Sequence, residues 1–510
     1  MYIFDWLTKR ADLTPDKVAL IDAATGREFT YAQFNERASR FAEFLRDEWR
    51  IQAGERVAIL AHNSSELFET LYGCAKIGAI LVPLNWRLTV PELEHIVRDC
   101  TPRALIYDPP FATQANALRA SGGIERMMTL GTELQQDESG YEQALVGTSG
   151  QSLAMPVHRL DEVWHILYTS GTTGRPKGVL QTFAMVFYNA LNMGLALDLT
   201  SNDTTLNLLP CFHTGGLNLL TNPTFHVGGT AIIQRSFDAG ETLQLLSERA
   251  TAFFGVPAVY LFLSQHQDFE RSDLSRMRSW SCGGAPVPVS LLERYAQRGI
   301  HVQQGFGMTE TGPTVFVLDK AHVLSKNGSV GKPQMYVEVR IVDRTGRDAP
   351  PGEMGELLVK GPGITPGYWQ LPDVTAAVIE DGWLHTGDVA RCDEDGFYYI
   401  VDRWKDMYIS GGENVYPAEI ENVLYAHPAI AEAAVIAVPD ERWGEVGQAV
   451  IVVKPDHTLS ADEVIEFCQG KLARYKVPKS VRFADALPRN AAGKVLKIEL
   501  RQRATALREG

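Results

Sequence analysis

The chain has 510 residues, which at roughly 100–200 residues per domain is enough for two to four domains or subdomains. Hydrophobic residues make up 45% and charged residues 22%, an ordinary globular balance. Asp and Glu outnumber Lys and Arg by 62 to 48, a net charge of -14 that excludes bulk nucleic-acid binding but leaves room for a local basic site.

In chain order, Thr30 and Gln33 form a capping box ahead of Phe34, Ala38, Phe41 and Leu45, which share one helical face. Val57–Leu60 reads as a short buried strand, Ser64–Ile77 as a helix and Ala79–Val82 as the next strand. Pro91–Arg98 reads as a helix and Ala104–Tyr107 as a strand. Strand–helix alternation of this kind implies layered α/β sheets, largely parallel. The style persists to about residue 330. Val337, Val339 and Ile341 then alternate with charged residues, Leu357–Val359 repeats the strand signal, and Gly and Pro crowd 351–367. That is a small β-rich subdomain, about 331–402. Beyond Arg403 compact α/β patterning returns. Val435–Val438 and Val450–Val453 are strands, and Ser460 and Glu463 cap a helix running to about Ala473.

The expected architecture is therefore α/β. A large multi-subdomain N-terminal domain spans 1–402, and a small, mobile α/β domain spans 403–510. The six cysteines, at 74, 100, 211, 282, 392 and 468, have no CxxC spacing, so neither a zinc site nor a disulfide framework is expected. The N-terminus MYIFDWLTKR carries Asp5 within its apolar run and lacks a signal-peptide pattern, and the C-terminal ALREG carries no lipidation or peroxisomal address. No apolar run reaches the length of about 18 residues needed to span a membrane. The expectation is a cytoplasmic protein, with a homodimer left open.

Residues 168–178 read YTSGTTGRPKG and follow an apolar strand candidate, Val163–Tyr168. Gly turns backbone N–H groups toward an anion, hydroxyls add donors and Lys177 adds charge, the general form of a phosphate cradle. It is not the Walker pattern. In GFGMTETG, 305–312, Phe306 can stack on a purine, Thr309 can bond a phosphate oxygen, and Glu310 is a hard oxygen ligand suited to Mg²⁺.

Together with LPCFHTGGL (209–217), SCGGAPVP (281–288), GWLHTGDVA (382–390), VDRWKDMYISGGENVYPAEIE (401–421) and PRNAAGKVLKIEL (488–500), these stretches resemble, in order, the motifs of the adenylate-forming superfamily. The resemblance covers almost the whole chain. It implies ATP, Mg²⁺ and CoA as co-substrates and cofactor, with the phosphate loop formed by Thr169, Ser170, Gly171, Thr172, Thr173, Gly174 and Lys177. His213 would lie beside the acyl and thiol sites. Gly284 and Ala285 would run along the adenine and acyl pocket with Gly305, Phe306 and Gly307. Asp388 would accept from the ribose hydroxyls, and Arg403 would face ribose and phosphate. Lys405 would be the hinge, Gly411 and Gly412 would pass the pantetheine arm, and Lys494 would be the C-terminal catalytic lysine, with Thr309 and Glu310 completing the catalytic set. Two departures are local. Phe306 stands where the family usually has Tyr, and Gln181-Thr182-Phe183 lacks the His that many relatives carry there.

The implied activity is an ATP-dependent carboxylic acid–CoA ligase acting through an acyl-adenylate. The segments that line the family's acyl pocket, near 212–218, 281–285, 305–309 and 314–316, contain no Lys or Arg. A second substrate carboxylate would be buried without a partner, so an apolar monocarboxylic acid is expected, medium-chain fatty or aryl. The rivals are an acyl-AMP ligase loading a carrier protein, a luciferase-like oxygenase and a non-catalytic nucleotide-binding relative.

Overall fold

The computed structural model describes residues 1–132, 138–151, 153, 157–170, 176–285, 287–403, 406–410, 413–469, 471–489 and 494–506. Two sheets dominate the first two thirds of the chain. One has seven strands in the order Pro176–Thr182, Val163–Ser170, Ile80–Pro83, Arg56–Leu60, Ala104–Tyr107, Arg126–Thr129 and Ser139–Gly140. It is parallel except for the hairpin at one edge. The other has nine strands, from Lys332–Pro333 through Thr314–Val317, Val302–Gly307, Ser279–Cys282, Ala252–Gly255, Thr204–Asn207 and Thr230–Ile233 to Val18–Asp22 and Glu28–Thr30. Its interior strands are parallel and its rims antiparallel.

The sequence-based elements of the first third are present with ends shifted by a few residues at most. Helix Tyr31–Asp47 starts at the Thr30–Gln33 capping box, in which Gln33 N donates to Thr30 Oγ1 at 3.2 Å and Thr30 N to Gln33 Oε1 at 2.9 Å. Phe34, Ala38, Phe41 and Leu45 are all buried on one face of it. Phe34 packs on Tyr72 of helix Ser65–Lys76 and on Phe225 at ring centroid distances of 5.6 and 5.4 Å. Each such aromatic contributes about 1.5–3 kcal/mol through burial, which clamps the helices between the sheets.

Residues 338–403 form the expected β-rich unit, a sheet of Glu338–Val342, Met354–Lys360, Trp383–Cys392 and Ile379–Glu380, with Tyr398–Arg403 also paired to Trp383–Cys392. The last hundred residues build a separate core around Tyr408, Ile420, Val435, Ala449 and Val464. Its sheet carries Glu413–Val415, Tyr408–Ser410, Gly444–Val453, Ile430–Asp440 and Ser480–Phe483.

One expectation is corrected. The helix capped by Ser460 and Glu463 ends at Cys468, short of Ala473, because Gln469 leaves helical geometry at ψ 139°. The flanks of the glycine-rich stretch are packed strand: Thr169 stands opposite Lys177 and Ser170 opposite Pro176 in the edge hairpin. Composition alone did not reveal this pairing.

Candidate active site

The hairpin places Lys177 at the start of Pro176–Thr182. Alongside it runs 365–369: Trp369 N donates to Gly178 O at 2.7 Å and Leu180 N to Gly367 O at 3.1 Å. This brings Tyr368 over Lys177, whose Nζ lies 5.1 Å from the ring centroid. Tyr368 then donates its hydroxyl to Glu310 Oε1 at 2.9 Å. Tyr368 was not read from the sequence. It sits in a Gly/Pro-rich stretch without periodicity, and its role comes from a pairing across almost two hundred residues.

Thr309 and Glu310 open a short 3₁₀ turn, Thr309–Thr311, directly after the strand Val302–Gly307 that bears Gly305, Phe306 and Gly307. The turn is held tightly. Gln181 Nε2 donates to Thr309 O, Thr365 N donates to Glu310 O, both at 2.9 Å, and Thr365 Oγ1 ties back to Leu180 O at 2.7 Å. Gly307 is required there, since a Cβ at that position would stand 1.8 Å from Pro313 O. Burial pushes the Glu310 carboxyl above the usual range, opposed by the Tyr368 hydrogen bond and the charges of Arg403 and Lys177. Oε1 accepts from Tyr368. Among the described residues there is no cluster of three or more His, Cys, Asp or Glu able to hold a metal. A single buried carboxylate fits Mg²⁺ carried mainly by substrate phosphates and water.

Asp388 and Arg403 stand directly opposite each other on antiparallel strands. Arg403 Nε is 3.1 Å from Asp388 Oδ1. The approach is too poorly aligned for a hydrogen bond, and among the described residues neither Nε nor the buried Asp388 Oδ2 has a hydrogen-bond partner. Burial raises the Asp388 carboxyl, while the charges of Arg403 and Lys494 pull it down. The charge of Lys494 is thus felt at Asp388. A buried carboxylate oxygen without a donor is costly, and a ligand offering hydroxyls would satisfy it.

His213 precedes the π-helical turn Gly215–Leu219 and packs on Phe212 at 4.8 Å between ring centroids. Its Nε2 is buried and without a partner. Burial, with Arg87 nearby, lowers its pKa to about 4, so the ring is neutral at pH 7. Gly284, at φ 83°, and Ala285 follow the strand Ser279–Cys282 beside Gly305's strand. Phe306 is half-buried and lies 6.2 Å from Phe316. Gly171, Thr172, Thr173, Gly174, Lys405, Gly411 and Gly412 lie outside the described residues, as does the Ser170 side chain.

The nucleotide-binding class that this cleft defines agrees with the comparisons. Residues 7–369 match the family model described as AMP-binding enzyme, and residues 419–494 the AMP-binding enzyme C-terminal domain. The chain is 44% identical to the feruloyl-CoA synthase of Amycolatopsis sp over 499 residues, 98% of each chain. It is 39% identical to the indoleacetate–CoA ligase of Aromatoleum aromaticum over 504 residues, again 98% of each. The structure of o-succinylbenzoate CoA synthetase from Bacillus subtilis with ATP and magnesium ion superposes with a TM-score of 0.88 at 32% identity, covering 98% of this chain and 100% of that one. The chain belongs to the AMP-binding enzymes. Within them it is an acid–thiol ligase that forms an acyl-adenylate. Among the described residues, no helix is long and apolar enough to cross a membrane.

Proposed function

We propose that this ligase activates an aryl monocarboxylic acid and transfers it to CoA. The observation that carries the nucleotide half of this reading is Asp388, whose buried Oδ2 awaits a donor within reach of the fields of Arg403 and Lys494. Ribose hydroxyls would supply that donor. The acid half is supported by the acyl-side segments 212–218, 281–285, 305–309 and 314–316, which offer no Lys or Arg to a second carboxylate. Two relatives named for aryl acyl groups, feruloyl and indoleacetate, favour a ring over a fatty chain.

In the first half-reaction the carboxylate attacks the α-phosphate and pyrophosphate leaves. Negative charge grows on the phosphoryl oxygens, and preformed donors stabilise it most when they need no reorganisation. Lys177 and Lys494 would face that charge, Thr309 would donate to a phosphate oxygen, and Thr169 with the segment through Gly174 would supply backbone donors. Glu310 would hold Mg²⁺, which when bound neutralises phosphate charge. In the second half-reaction a thiol attacks the acyl-adenylate beside His213 and AMP leaves. We further assign 1–402 as the large domain and 403–510 as a small domain that turns about Lys405, withdrawing Lys494 and presenting Gly411 and Gly412. Pyrophosphate release across a panel of cinnamates, benzoates and medium-chain fatty acids, with and without CoA, tests the reading. Turnover of fatty acids alone, or release indifferent to CoA, would overturn it.

A further inference from the structure

Gln181, read in the sequence only as a departure from the family, is completely buried. It sits on strand Pro176–Thr182, opposite His165. Its Nε2 donates to Thr309 O at 2.9 Å, and its Oε1 accepts from Asn218 Nδ2 at 3.4 Å. Asn218 lies on the π-helical turn after His213 and is also completely buried. Its own amide is anchored by Asn222, which donates to Asn218 Oδ1 at 3.0 Å and accepts from the Tyr72 hydroxyl at 3.1 Å. Asn218 Nδ2 also faces His165 Nε2 at 3.1 Å and Thr214 Oγ1 at 3.2 Å. Burial drops the His165 pKa to about 3, so the ring is neutral, and Nε2 accepts from Asn218 in the tautomer protonated at Nδ1. Two amide hydrogens serve these three acceptors, so the orientation is shared among them.

A second arm leaves the same residue. Asn218 O accepts from Asn189 Nδ2 at 2.6 Å. Asn189 Oδ1 accepts from Thr314 N at 3.3 Å and from the Thr314 hydroxyl. The 309–314 loop is thus gripped at both ends by side-chain amides, and both grips meet at Asn218. We propose that Gln181 is a positioning residue that, together with Asn218, fixes the Thr309–Glu310 loop relative to the acyl-side turn. Neither side chain touches a reacting atom. Their effect is to set where Glu310 presents its carboxylate and to tie that position to the turn bearing His213. A buried amide network of this kind has few alternative arrangements, because a broken member leaves an unsatisfied polar group.

The inference rests on Glu310 being the Mg²⁺ ligand. The test is calorimetric titration of the full chain with ATP plus Mg²⁺ and, separately, with ATP plus chelator. Gln181→Met keeps the length and removes the amide. It is expected to weaken MgATP binding about tenfold while leaving chelator-treated ATP binding within about twofold, as loss of one buried hydrogen bond implies. Asn218→Ala should show a smaller loss in the same direction, and the double variant should match Gln181→Met alone, because both lie on one path. Leu246→Ala, in the core behind the nine-stranded sheet, should lower thermal stability without changing the ratio of the two affinities. Equal weakening of ATP with and without Mg²⁺ in Gln181→Met, or multiplicative losses in the double variant, would overturn the proposal. If Gln181→Met fails to fold, Asn218→Ala alone carries the comparison, and an unchanged ratio there overturns it. Glu310→Ala separates the two claims. A Mg²⁺ enhancement that survives it refutes the metal assignment, whereas its loss together with an unaffected Gln181→Met refutes only the positioning role.

Discussion

The surroundings of Glu310 and of Asp388 are built differently. At Glu310, one carboxylate oxygen takes the Tyr368 hydroxyl, the main chain is pinned by Gln181 and Thr365, and Lys177 stands over the Tyr368 ring. At Asp388, the nearest cation is misaligned and one buried oxygen has no donor. The first region is organised before any ligand arrives. The second has a buried carboxylate oxygen still without a donor among the described residues. Its own chain also leads directly out of the large domain: Asp402 Oδ2 accepts from Ala418 N at 3.0 Å, and Arg501 Nη2 donates to Asp406 Oδ1 at 2.7 Å. A site that must hold phosphate throughout gains from rigidity. A site beside a domain that turns, as proposed for the segment after Arg403, would gain from contacts that form only with substrate.

The largest expected effect breaks this contrast at the turning side. Pro fixes φ near about −65° and lacks an N–H, so Lys405→Pro should abolish acyl-CoA formation while leaving pyrophosphate release largely intact. Following both products in one assay decides it, and undiminished acyl-CoA would rule the hinge out. Next, Lys494→Ala should cut adenylation by about 10²–10³-fold yet spare thioester formation from supplied acyl-AMP. Equal loss of both halves would contradict a charge that serves only the first.

Asp388→Asn sharpens the comparison at the ribose. Losing a charged acceptor of about 1.5–3 kcal/mol should weaken ATP at least tenfold with or without Mg²⁺, measured by titration. A loss seen only with Mg²⁺ would place Asp388 on the metal side.

The smallest effect belongs to Tyr368→Phe. One hydrogen bond of about 1 kcal/mol predicts roughly fivefold weaker MgATP. Its pH signature is more diagnostic. Burial has already raised the Glu310 carboxyl, so the folded state holds its proton to a higher pH than the unfolded chain does, and apo-protein stability falls as pH rises through that raised value. Mg²⁺ needs the ionised form, so MgATP affinity should fall as pH drops through the same window, above the ordinary value of 4.5. Tyr368 opposes the rise, and Tyr368→Phe should move the acid limb to still higher pH. MgATP titrations at a series of pH values would show an unmoved limb if the hydroxyl had no hold on Glu310.

The elements of the first third were legible in the sequence because local signals and packing agree there. The Thr30–Gln33 box and the face of Phe34, Ala38, Phe41 and Leu45 state the same helix that the core accepts. Glu310, Asp388, Arg403 and Lys494 were read as motif members, and Glu310 also by its chemistry beside Thr309. Tyr368, Thr365, Asn189 and Asn218 were not read. Their side-chain type carries no local signature, and their roles exist only through partners far away in the chain.

By itself, the sequence pointed to an α/β ligand-binding chain with a glycine-rich phosphate-cradle candidate, an acidic metal candidate and a basic C-terminal residue. Periodicity, caps and clustered motifs are local properties, written within a few turns of chain. Tertiary structure alone decided that segment 365–369 lies along the hairpin to set Tyr368 on Glu310, and that Gln181 reaches the Thr309 carbonyl. Long-range register fixes those meetings, because a buried donor is satisfied only by whichever acceptor the packed strands bring to it.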